Sequence, residues 1–507
     1  MRGIKHMAMD KIIEKDDGQL MVGNELIPKA YNTHYIIENY NKGDCPKIEA
    51  DLSIWNPTYY RREEYFYYDE TEKKLYLPRG YDINIVSAQT GKPVTFVPNY
   101  RPKARYHFNT GNPPRDDYQR EMIRYLSAQG EYKNLMNTSQ QVLSLPTRSG
   151  KTYCTIAAAG LLESRALVIV NRDLLREQWA DEICDHTNLT MKNIILIKSS
   201  DFFANWNTTG SRIYLHRNSY IFITTHRTIH NAIKLYGMSS IDKTLKDLSI
   251  GIKIIDEAHI EFQNTLLTDY ATNVWKTFYL TATFARSDDK EDRIFQKSFN
   301  QVVKIAKKNP EREKTVRLFM VSFRTKSNSA QEQAICYQKM GFSRYNYIDY
   351  ELKNGKIDRV VSFILKLVIE EKKLEGKILI LSSKTDTCDH FKELVEDLFP
   401  SFSVCSHHSK SKIEDFREYG VICATPQMVG TGATIPKLRV VINTEPTSST
   451  VNVVQIFGRL DIYAPGMDTY YFMIMDTGFL KVKKMFNKIK NVLKFHAKKI
   501  VEYDYTE

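Results

Sequence analysis

Short apolar runs alternate with helical periodicity along most of this 507-residue chain, and this alternation constrains the fold more than any other feature. A first series reads QVLSLP, ALVIV, YIFITT, IKIID and FYLTAT, and a second reads VRLFMVSF, KILILSS, GVICAT, RVVINT and YYFMIM. Continuous apolar strands separated by helices are typical of parallel sheets that helices cover on both faces. The sequence therefore predicts an α/β fold with two tandem domains of this kind.

Changes in composition divide the chain into five segments. The first part is rich in tyrosine, and its run EYFYYDETEKKLYLPRG predicts two short strands around a charged turn. The segment AKKNPEREK is charged and broken by proline, which favours a hinge. We expect a smaller β-rich N-terminal accessory domain, a first α/β domain, a linker, a second α/β domain and a basic C-terminal helix, at residues 1–110, 111–305, 306–314, 315–480 and 481–507.

The charge balance points to a polyanionic partner. The chain has 72 Lys and Arg against 60 Asp and Glu, which leaves a net charge of +12. A basic surface gains affinity for phosphates by releasing counterions, although a generally lysine-rich composition gives the same excess. The seven cysteines contain no CxxC pair, which favours buried thiols in a reducing cytoplasm over a zinc or disulfide framework. No run approaches the roughly 18 apolar residues of a membrane span, so we expect no membrane partner.

A phosphate-binding loop is predicted between the run QVLSLP and an alanine-rich helical segment. The hexapeptide TRSGKT (147–152) lies at this junction. A sharp turn from strand to helix aims backbone N–H groups at phosphates, and the helix dipole assists them. Lys151 would reach the β- and γ-phosphates, and the Thr152 hydroxyl would ligate Mg²⁺. A GKT tripeptide alone also arises by chance, so the flanking strand and helix carry the prediction.

An acidic pair follows about 100 residues later. The run GIKIIDEAHI places Asp256, Glu257 and His259 at the end of an apolar strand. Asp256 can hold the Mg²⁺ shell, and Glu257 can polarise an attacking water as a general base. Charged strand ends are common, but an acidic pair downstream of a phosphate loop favours nucleotide hydrolysis.

Taken in order, these motifs resemble those of superfamily 2 helicases. LPTRSGKT, DEAH and LTAT (280–283) resemble motifs I, II and III, and VNR with QW and TTH resemble motifs Ia and Ib. Tyr118-Gln119 resembles the glutamine motif, which reads adenine. KILILSSK, ATPQMVGTGATIP and QIFGR (455–459) resemble motifs IV, V and VI. The style of these motifs is similar to that of phage branch-migration DNA helicases of the UvsW type. The resemblance covers about residues 112–476 and implies two RecA-like domains with ATP in the cleft between them.

The resemblance also implies roles for individual residues. Catalytic roles are implied for Lys151, Asp256, Glu257, Gln455 and Arg459. Nucleotide binding is implied for Tyr118, Gln119, Pro146, Thr147, Arg148, Ser149, Gly150, Lys151, Thr152, His259 and Gly432, and Mg²⁺ ligation for Thr152 and Asp256. Contact with nucleic acid is implied for Arg172, Thr225, Thr281, Thr283, Ser383, Lys384 and Thr425. Taken singly, each residue of this last set also suits a capping or surface role.

Two positions depart from the family pattern. Ile462 stands where motif VI usually has its second arginine, which leaves Arg459 as the candidate finger for the γ-phosphate. Thr434 stands where motif V usually has an aspartate. The residues of the ATPase core, Lys151 and the acidic pair, are present.

Two flanking segments suggest further contacts with nucleic acid, and we expect the N-terminal accessory domain (1–110) to bind DNA. NPTYYRR (56–62) interleaves aromatic and arginine side chains, which could stack on bases and contact phosphates. The same pattern is equally expected of a small β-rich core that buries the aromatics and leaves the arginines outside. KVKKMFNKIKNVLKFHAKKI (481–500) has an apolar helical face and a lysine face, as expected of a docked terminal helix or a duplex-contacting one.

The leading hypothesis is an ATP- and Mg²⁺-dependent DNA helicase or translocase that remodels single-stranded, forked or branched DNA in replication, recombination or repair. Family resemblance implies movement in the 3′–5′ direction. We expect a cytoplasmic location, which is the cytoplasm of the host if a phage encodes the chain. We expect a monomer that works with replication or recombination proteins. The alternatives are an RNA helicase and a nucleic-acid-stimulated motor or binding subunit without strand separation.

Overall fold

The computed structural model describes most of the chain. The described residues are 12–14, 20–22, 25–56, 60–97, 101–102, 106–145, 149–204, 216–282, 284, 289–306, 315–325, 330–338, 341–411, 415–430, 435–444, 446, 450–460, 467–494 and 496–506. The predicted hinge at 306–314 lies almost wholly outside them. The chain divides into two compact units, residues 1–144 with 151–306 and residues 145–150 with 307–507.

A mixed sheet forms the N-terminal part of the first unit. The strands are β1 (Ile12–Glu14), β2 (Leu20–Val22), β3 (Ile27–Ala30), β4 (His34–Glu38), β5 (Ser53–Asn56), β6 (Arg61–Glu64), β7 (Tyr67–Asp69), β8 (Lys74–Pro78) and β9 (Thr95–Phe96), with helices α1 (Pro46–Asp51) and α2 (Ile83–Thr90). Five strands form a sheet in the order β7-β8-β4-β3-β9, and β5 pairs with β6 in a separate hairpin. The predicted strand pair around the charged turn is confirmed as the antiparallel hairpin β7–β8.

Seven parallel strands form the main sheet of the first unit, in the order β12-β13-β11-β14-β15-β10-β16. The strands are β10 (Gln140–Ser144), β11 (Arg165–Val170), β12 (Ile194–Leu196), β13 (Ile221–Thr225), β14 (Ile250–Ile255), β15 (Lys276–Thr281) and β16 (Val303–Ala306). The helices are α3 (Asp117–Ser127), α4 (Lys151–Leu161), α5 (Asp173–His186), α6 (His226–Tyr236), α7 (Met238–Asp247), α8 (Phe262–Ala271) and α9 (Asp289–Ser298), with 3₁₀ turns at Gly130–Asn137, Met191–Asn193 and Ser200–Phe203.

The N-terminal sheet shares one hydrophobic core with this first parallel sheet. Tyr65 stacks on Phe262 with ring centroids 5.2 Å apart. At Gly80 a Cβ atom would lie 2.4 Å from the carbonyl oxygen of Ser298, so only glycine permits this approach. The sequence does not predict these contacts, because the two residues of each contact are far apart in the chain.

A buried polar network joins the same two sheets. Lys253 Nζ donates to Asp269 Oδ1 at 2.6 Å, and the Tyr279 hydroxyl donates to Asp269 Oδ2 at 2.7 Å. Gln140 Nε2 reaches both the Tyr279 hydroxyl, at 2.6 Å, and the carbonyl oxygen of Thr33, at 3.2 Å. Buried charges are tolerated only when they are paired and hydrogen-bonded, and this network satisfies that requirement while Gln140 ties it to the N-terminal part through Thr33.

The second unit repeats the parallel arrangement in the order β21-β22-β20-β23-β24-β17-β25. Its strands are β17 (Val316–Phe323), β18 (Tyr337–Gln338), β19 (Gly341–Phe342), β20 (Lys377–Leu381), β21 (Val404–His407), β22 (Val421–Ala424), β23 (Leu438–Asn443), β24 (Thr469–Asp476) and β25 (Lys499–Asp504). The helices are α10 (Ala330–Ile335), α11 (Arg344–Lys353), α12 (Lys356–Lys366), α13 (Thr385–Leu398), α14 (Pro426–Gly430), α15 (Thr450–Arg459) and α16 (Leu480–Leu493), with a π turn at Leu367–Glu371 and a 3₁₀ turn at Phe416–Glu418. Two tandem RecA-like domains behind a β-rich region are thereby confirmed.

The basic C-terminal helix is shorter than expected for 481–507. It ends at Leu493, and Lys499–Asp504 form strand β25, which pairs in parallel with β17. The exposed and half-buried residues of this strand suit a sheet edge. The helix itself buries the predicted apolar face through Val482, Phe486 and Ile489.

All seven cysteines are free thiols, and six of them are buried. Among the helices of the described ranges, none combines the length and the apolar character that a membrane crossing requires.

A buried acidic pair lies at the end of β24. The carboxylate of Asp476 accepts hydrogen bonds from the backbone N–H groups of Gly478, at 2.7 Å, and Thr325, at 3.3 Å. Glu351 on α11 is fully buried beside it. Burial, reinforced by the charge of Asp476, raises the pKa of Glu351 to about 9. Glu351 is therefore protonated at neutral pH.

This raised pKa makes the stability of the second unit depend on pH. The unfolded chain releases the Glu351 proton near its ordinary value of 4.5, so the stabilisation is complete below that pH and is lost as the pH rises through about 9. Glu351→Gln cannot ionise at this position. As the pH rises from 5 to 9, its free energy of unfolding should therefore increase relative to that of the natural protein by about 1 kcal/mol or more. Denaturant unfolding at several pH values measures this difference. The exposed Glu393→Gln is the control, and parallel stability curves for Glu351→Gln and the natural protein would contradict the assignment.

Candidate active site

The predicted site residues of the first unit gather at one edge of its sheet. The strand order β11-β14-β15-β10 places the ends of the strands that carry VNR, DEAH, LTAT and the phosphate loop side by side. Because all these strands are parallel, their carboxyl ends open onto the same edge, where ligands of α/β folds bind. The sequence motifs, spread over more than 130 residues, therefore converge in space.

The phosphate loop leads directly into helix α4. Gly150 has a φ of +85°, a backbone conformation that glycine adopts without strain, and α4 begins at the next residue, Lys151. Ser149 is buried, whereas Lys151 and Thr152 are partly exposed at the first turn of the helix. The N–H groups of this turn and the helix dipole favour an anion here. Pro146, Thr147 and Arg148 lie outside the described residues.

The glutamine motif is ordered by its own helix start. Tyr118 and Gln119 are buried in the first turn of α3. The Asp116 side chain accepts from the Gln119 backbone N–H at 2.8 Å, and the Gln119 side-chain oxygen accepts from the Arg115 N–H at 2.9 Å. The Cys154 thiol of α4 donates to the carbonyl oxygen of Gln119 at 3.9 Å. The glutamine motif and the phosphate-loop helix are thus in direct contact.

Asp256 lies in an electrostatically strained position at the end of β14. Burial, followed by repulsion from Glu257, raises the pKa of Asp256 to about 6, and Lys151 opposes the rise. The Trp179 indole N–H donates to Asp256 Oδ2 at 3.0 Å. A cation at this edge would relieve the repulsion between the two carboxylates.

His259 links the acidic pair to the neighbouring strand. Its Nδ1 lies 2.7 Å from the hydroxyl oxygen of Thr281 and 3.4 Å from Glu257 Oε2. Glu257 has a positive φ of 47°, which is uncommon for a residue with a side chain and is typical of functional sites. Thr281 is buried, so its hydroxyl serves this link rather than an exposed surface.

The donor set of this edge fits Mg²⁺ and ATP. Within the described part of the chain, no three His, Cys, Asp or Glu side chains group closely enough to hold a metal by themselves. Mg²⁺ is usually bound through one or two carboxylates together with substrate phosphates, and Asp256 and Thr152 are the side chains of this edge that would hold it. The positive charge of Lys151 lowers the pKa of Asp256, against the larger effect of burial.

The predicted nucleic-acid residues of the first unit begin two helices at the same edge. Arg172 is the N-cap of α5, and burial lowers the pKa of its guanidinium, against the opposing charge of Glu261. Thr225 is the N-cap of α6, where its side chain accepts from the Thr228 N–H at 3.2 Å. Thr225 therefore has a capping role, whereas Arg172 is partly exposed. Thr283 lies outside the described residues.

The predicted residues of the second unit also follow its strand ends. Ser383 and Lys384 lie after β20, and Thr425 follows β22 directly. Lys384 forms an ion pair with Asp349 of α11. Gln455 and Arg459 are both buried on α15. Gly432, Thr434 and Ile462 lie outside the described residues.

Sequence reasoning missed the contact between Trp179 and Asp256. The motif Ia resemblance included Trp179 but gave it no role at the acidic pair. The residues are 77 positions apart, and their contact depends on how α5 packs on the parallel sheet. The available signal was the helical spacing of Leu175, Trp179 and Ile183, which indicates a buried face without showing what it meets.

Comparisons with known proteins agree with this geometry. Residues 113–286 match the family model described as type III restriction enzyme, res subunit, and residues 355–461 match the helicase conserved C-terminal domain. In a sequence search no curated protein matches the chain.

Among solved structures, the DEAD-box helicase Mss116 bound to ssRNA and UDP-BeF is similar with a TM-score of 0.52 and 14% identity, covering 77% of this chain and 75% of that one. A second Mss116 structure, bound to ssRNA and AMP-PNP, gives a TM-score of 0.50 and 15% identity, with 77% and 78% covered. The helicase domain of Pyrococcus furiosus Hef gives a TM-score of 0.46 and 12% identity, with 74% and 97% covered. These likenesses concern the fold.

The two family models fall on the two parallel sheets, and the first spans the phosphate loop, the acidic pair and the Thr281 strand. This chain is a superfamily 2 helicase, an ATP-dependent enzyme that acts on nucleic acid.

Proposed function

We propose that this helicase translocates on DNA in the 3′–5′ direction and remodels forked or branched DNA in replication, recombination or repair. The observation that carries the ATPase part is the meeting of Lys151, Asp256 and Glu257 at one sheet edge. The DNA substrate is supported by the net charge of +12 and by the motif style, which resembles branch-migration helicases.

The chemistry follows from the positions of these side chains. Lys151 at the start of α4 binds the β- and γ-phosphates of ATP, and the helix N-terminus adds its dipole. Glu257 accepts a proton as a water oxygen attacks the γ-phosphorus and the bond to the ADP oxygen breaks. Asp256 and Thr152 would hold Mg²⁺, which would supply positive charge to the phosphates. We further propose that Arg459 stabilises the transferring phosphoryl group, with Gln455 beside it on the same helix, and that ATP binding closes the two RecA-like domains.

The grip on DNA is assigned to the strand ends. Arg172 of the first unit and Ser383, Lys384 and Thr425 of the second are proposed to contact the backbone of one strand, since backbone contacts position a nucleic acid without reading its sequence. Domain closure then alternates the grip and moves the strand. We place this activity in the cytoplasm and assign it to a monomer.

The N-terminal hairpin β5–β6 is proposed to contact the branch. Trp55 is 58% exposed and Tyr60 is 82% exposed, unusually high fractions for large aromatic side chains. Arg62 pairs across the hairpin with Trp55, and its guanidinium donates to Ser53 Oγ at 2.6 Å. Exposed aromatics beside arginine suit base stacking with phosphate contact.

The substrate assignment is tested by ATPase stimulation. Single-stranded DNA, duplex DNA, forked DNA, a four-way junction and single-stranded RNA should be compared at one salt concentration, because phosphate binding depends steeply on salt. We expect DNA to stimulate hydrolysis more than RNA, and forked DNA to be unwound. Stronger stimulation by RNA would assign the enzyme to RNA, and stimulation without unwinding would make it a motor subunit.

Two substitutions separate binding from chemistry. Lys151→Ala should weaken ATP binding and remove hydrolysis, because the cation on the phosphates is lost. Glu257→Gln should remove hydrolysis while ATP still binds, because the amide cannot accept the proton from water. Steady-state turnover and binding of a fluorescent ATP analogue measure the two effects. Near-normal turnover in Glu257→Gln would contradict its role as base.

The hairpin is tested without deleting residues 1–110, because the N-terminal sheet shares its core with the first parallel sheet and deletion would expose that core. Trp55→Ala combined with Tyr60→Ala should weaken binding of forked DNA about tenfold or more, since each stacked base contributes roughly 1–3 kcal/mol. ATPase stimulation at saturating single-stranded DNA should remain. Phe96→Ala, which removes an exposed aromatic on β9 of the five-stranded N-terminal sheet and outside the hairpin, is the matched control. If the double variant and Phe96→Ala bind forked DNA with equal affinity, the hairpin does not contact the branch.

A further inference from the structure

Trp179 connects a buried helix face to the acidic pair. It lies on α5, is 3% exposed, and shares a buried face with Leu175 and Ile183. Its indole N–H donates to Asp256 Oδ2 at 3.0 Å. Any large apolar side chain could fill this part of the core, but among the apolar aromatics only tryptophan also brings an N–H donor.

The hydrogen bond fixes one oxygen of Asp256. The indole nitrogen can only donate, so it favours the ionised carboxylate, and a bond to a charged acceptor is stronger than a neutral one. The backbone N–H of Asp256 donates to the carbonyl oxygen of Ile169 at 3.0 Å, which holds the main chain as well. With Oδ2 engaged, the carboxylate cannot rotate freely, and its orientation beside Lys151 is set before a ligand arrives.

We propose that Trp179 is a positioning residue that orients the Asp256 carboxylate for Mg²⁺ bound with nucleotide. The inference rests on the proposed role of Asp256. It assigns α5 two tasks at once, because the same helix begins at Arg172, the residue proposed to contact DNA. Groups that orient a ligating carboxylate typically change metal affinity 10- to 100-fold when they are removed.

The test compares three variants of the full chain by calorimetric titration with ADP, in Mg²⁺ and in EDTA. Trp179→Phe keeps the ring and loses the donor, and should raise the dissociation constant of Mg²⁺·ADP about tenfold while leaving that of metal-free ADP unchanged. Trp275→Phe removes another buried tryptophan and should change neither constant. Asp256→Asn should abolish the effect of Mg²⁺ on ADP affinity.

The outcomes separate the inference from the proposed function. If Asp256→Asn removes the Mg²⁺ effect but Trp179→Phe behaves like Trp275→Phe, the positioning role is wrong and the role of Asp256 stands. If Asp256→Asn leaves the Mg²⁺ effect intact, the metal role of Asp256 is wrong and the inference falls with it. Equal weakening of ADP in Mg²⁺ and in EDTA by Trp179→Phe would indicate only a packing defect and would also overturn the inference.

A spectroscopic measurement leaves Trp179 in place. The chain has four tryptophans, so Trp55→Phe, Trp206→Phe and Trp275→Phe together leave Trp179 as the sole indole. Its fluorescence should change when Mg²⁺·ADP is added and not when ADP is added with EDTA, because the cation alters the field at the bonded carboxylate. Adding Asp256→Asn to this background should abolish the change. An identical response to both forms of ADP would contradict the proposal.

Discussion

The parallel direction of the strands is the constraint on which the rest of this molecule depends. In each seven-stranded sheet every pairing is parallel, so the loops after the strands meet at one edge, and helices such as α4 point their N-termini there. An antiparallel order would send half of these loops to the opposite edge. Lys151, Asp256 and Thr281 meet because β10, β14 and β15 share one direction.

The N-terminal sheet is built into the first motor domain through buried polar groups as well as apolar packing. Asp269 receives hydrogen bonds from Lys253 and Tyr279, and its carbonyl oxygen lies 3.1 Å from His34 Nδ1. Burial lowers the pKa of His34 to about 3, so the imidazole is neutral and adds no charge to the network. Lys253 precedes Asp256 by three residues on β14. The N-terminal sheet is thus linked, through Asp269 of α8, to the strand that leads into the acidic pair.

Sequence patterns predicted all ten central strands but none of the four edge strands. Central strands are buried on both faces and read as apolar runs. The edge strands β16, β21 and β25 carry exposed or polar residues, and the edge strand β12 has only three residues. Their pattern is therefore weak. The weak pattern of β25 led to a wrong prediction, because this segment was expected to be helical and instead forms an edge strand of the second sheet.

The sequence by itself determined the fold class and the residues of the ATPase motifs, since strand runs, the phosphate loop and the acidic pair are local signals. Tertiary structure alone decided which distant groups act on them. The hydrogen bond from Trp179 to Asp256 and the hydrogen bond between His259 and Thr281 each join residues that are far apart in the chain. Such contacts depend on how helices pack on the sheet, and no pattern within one segment encodes that packing.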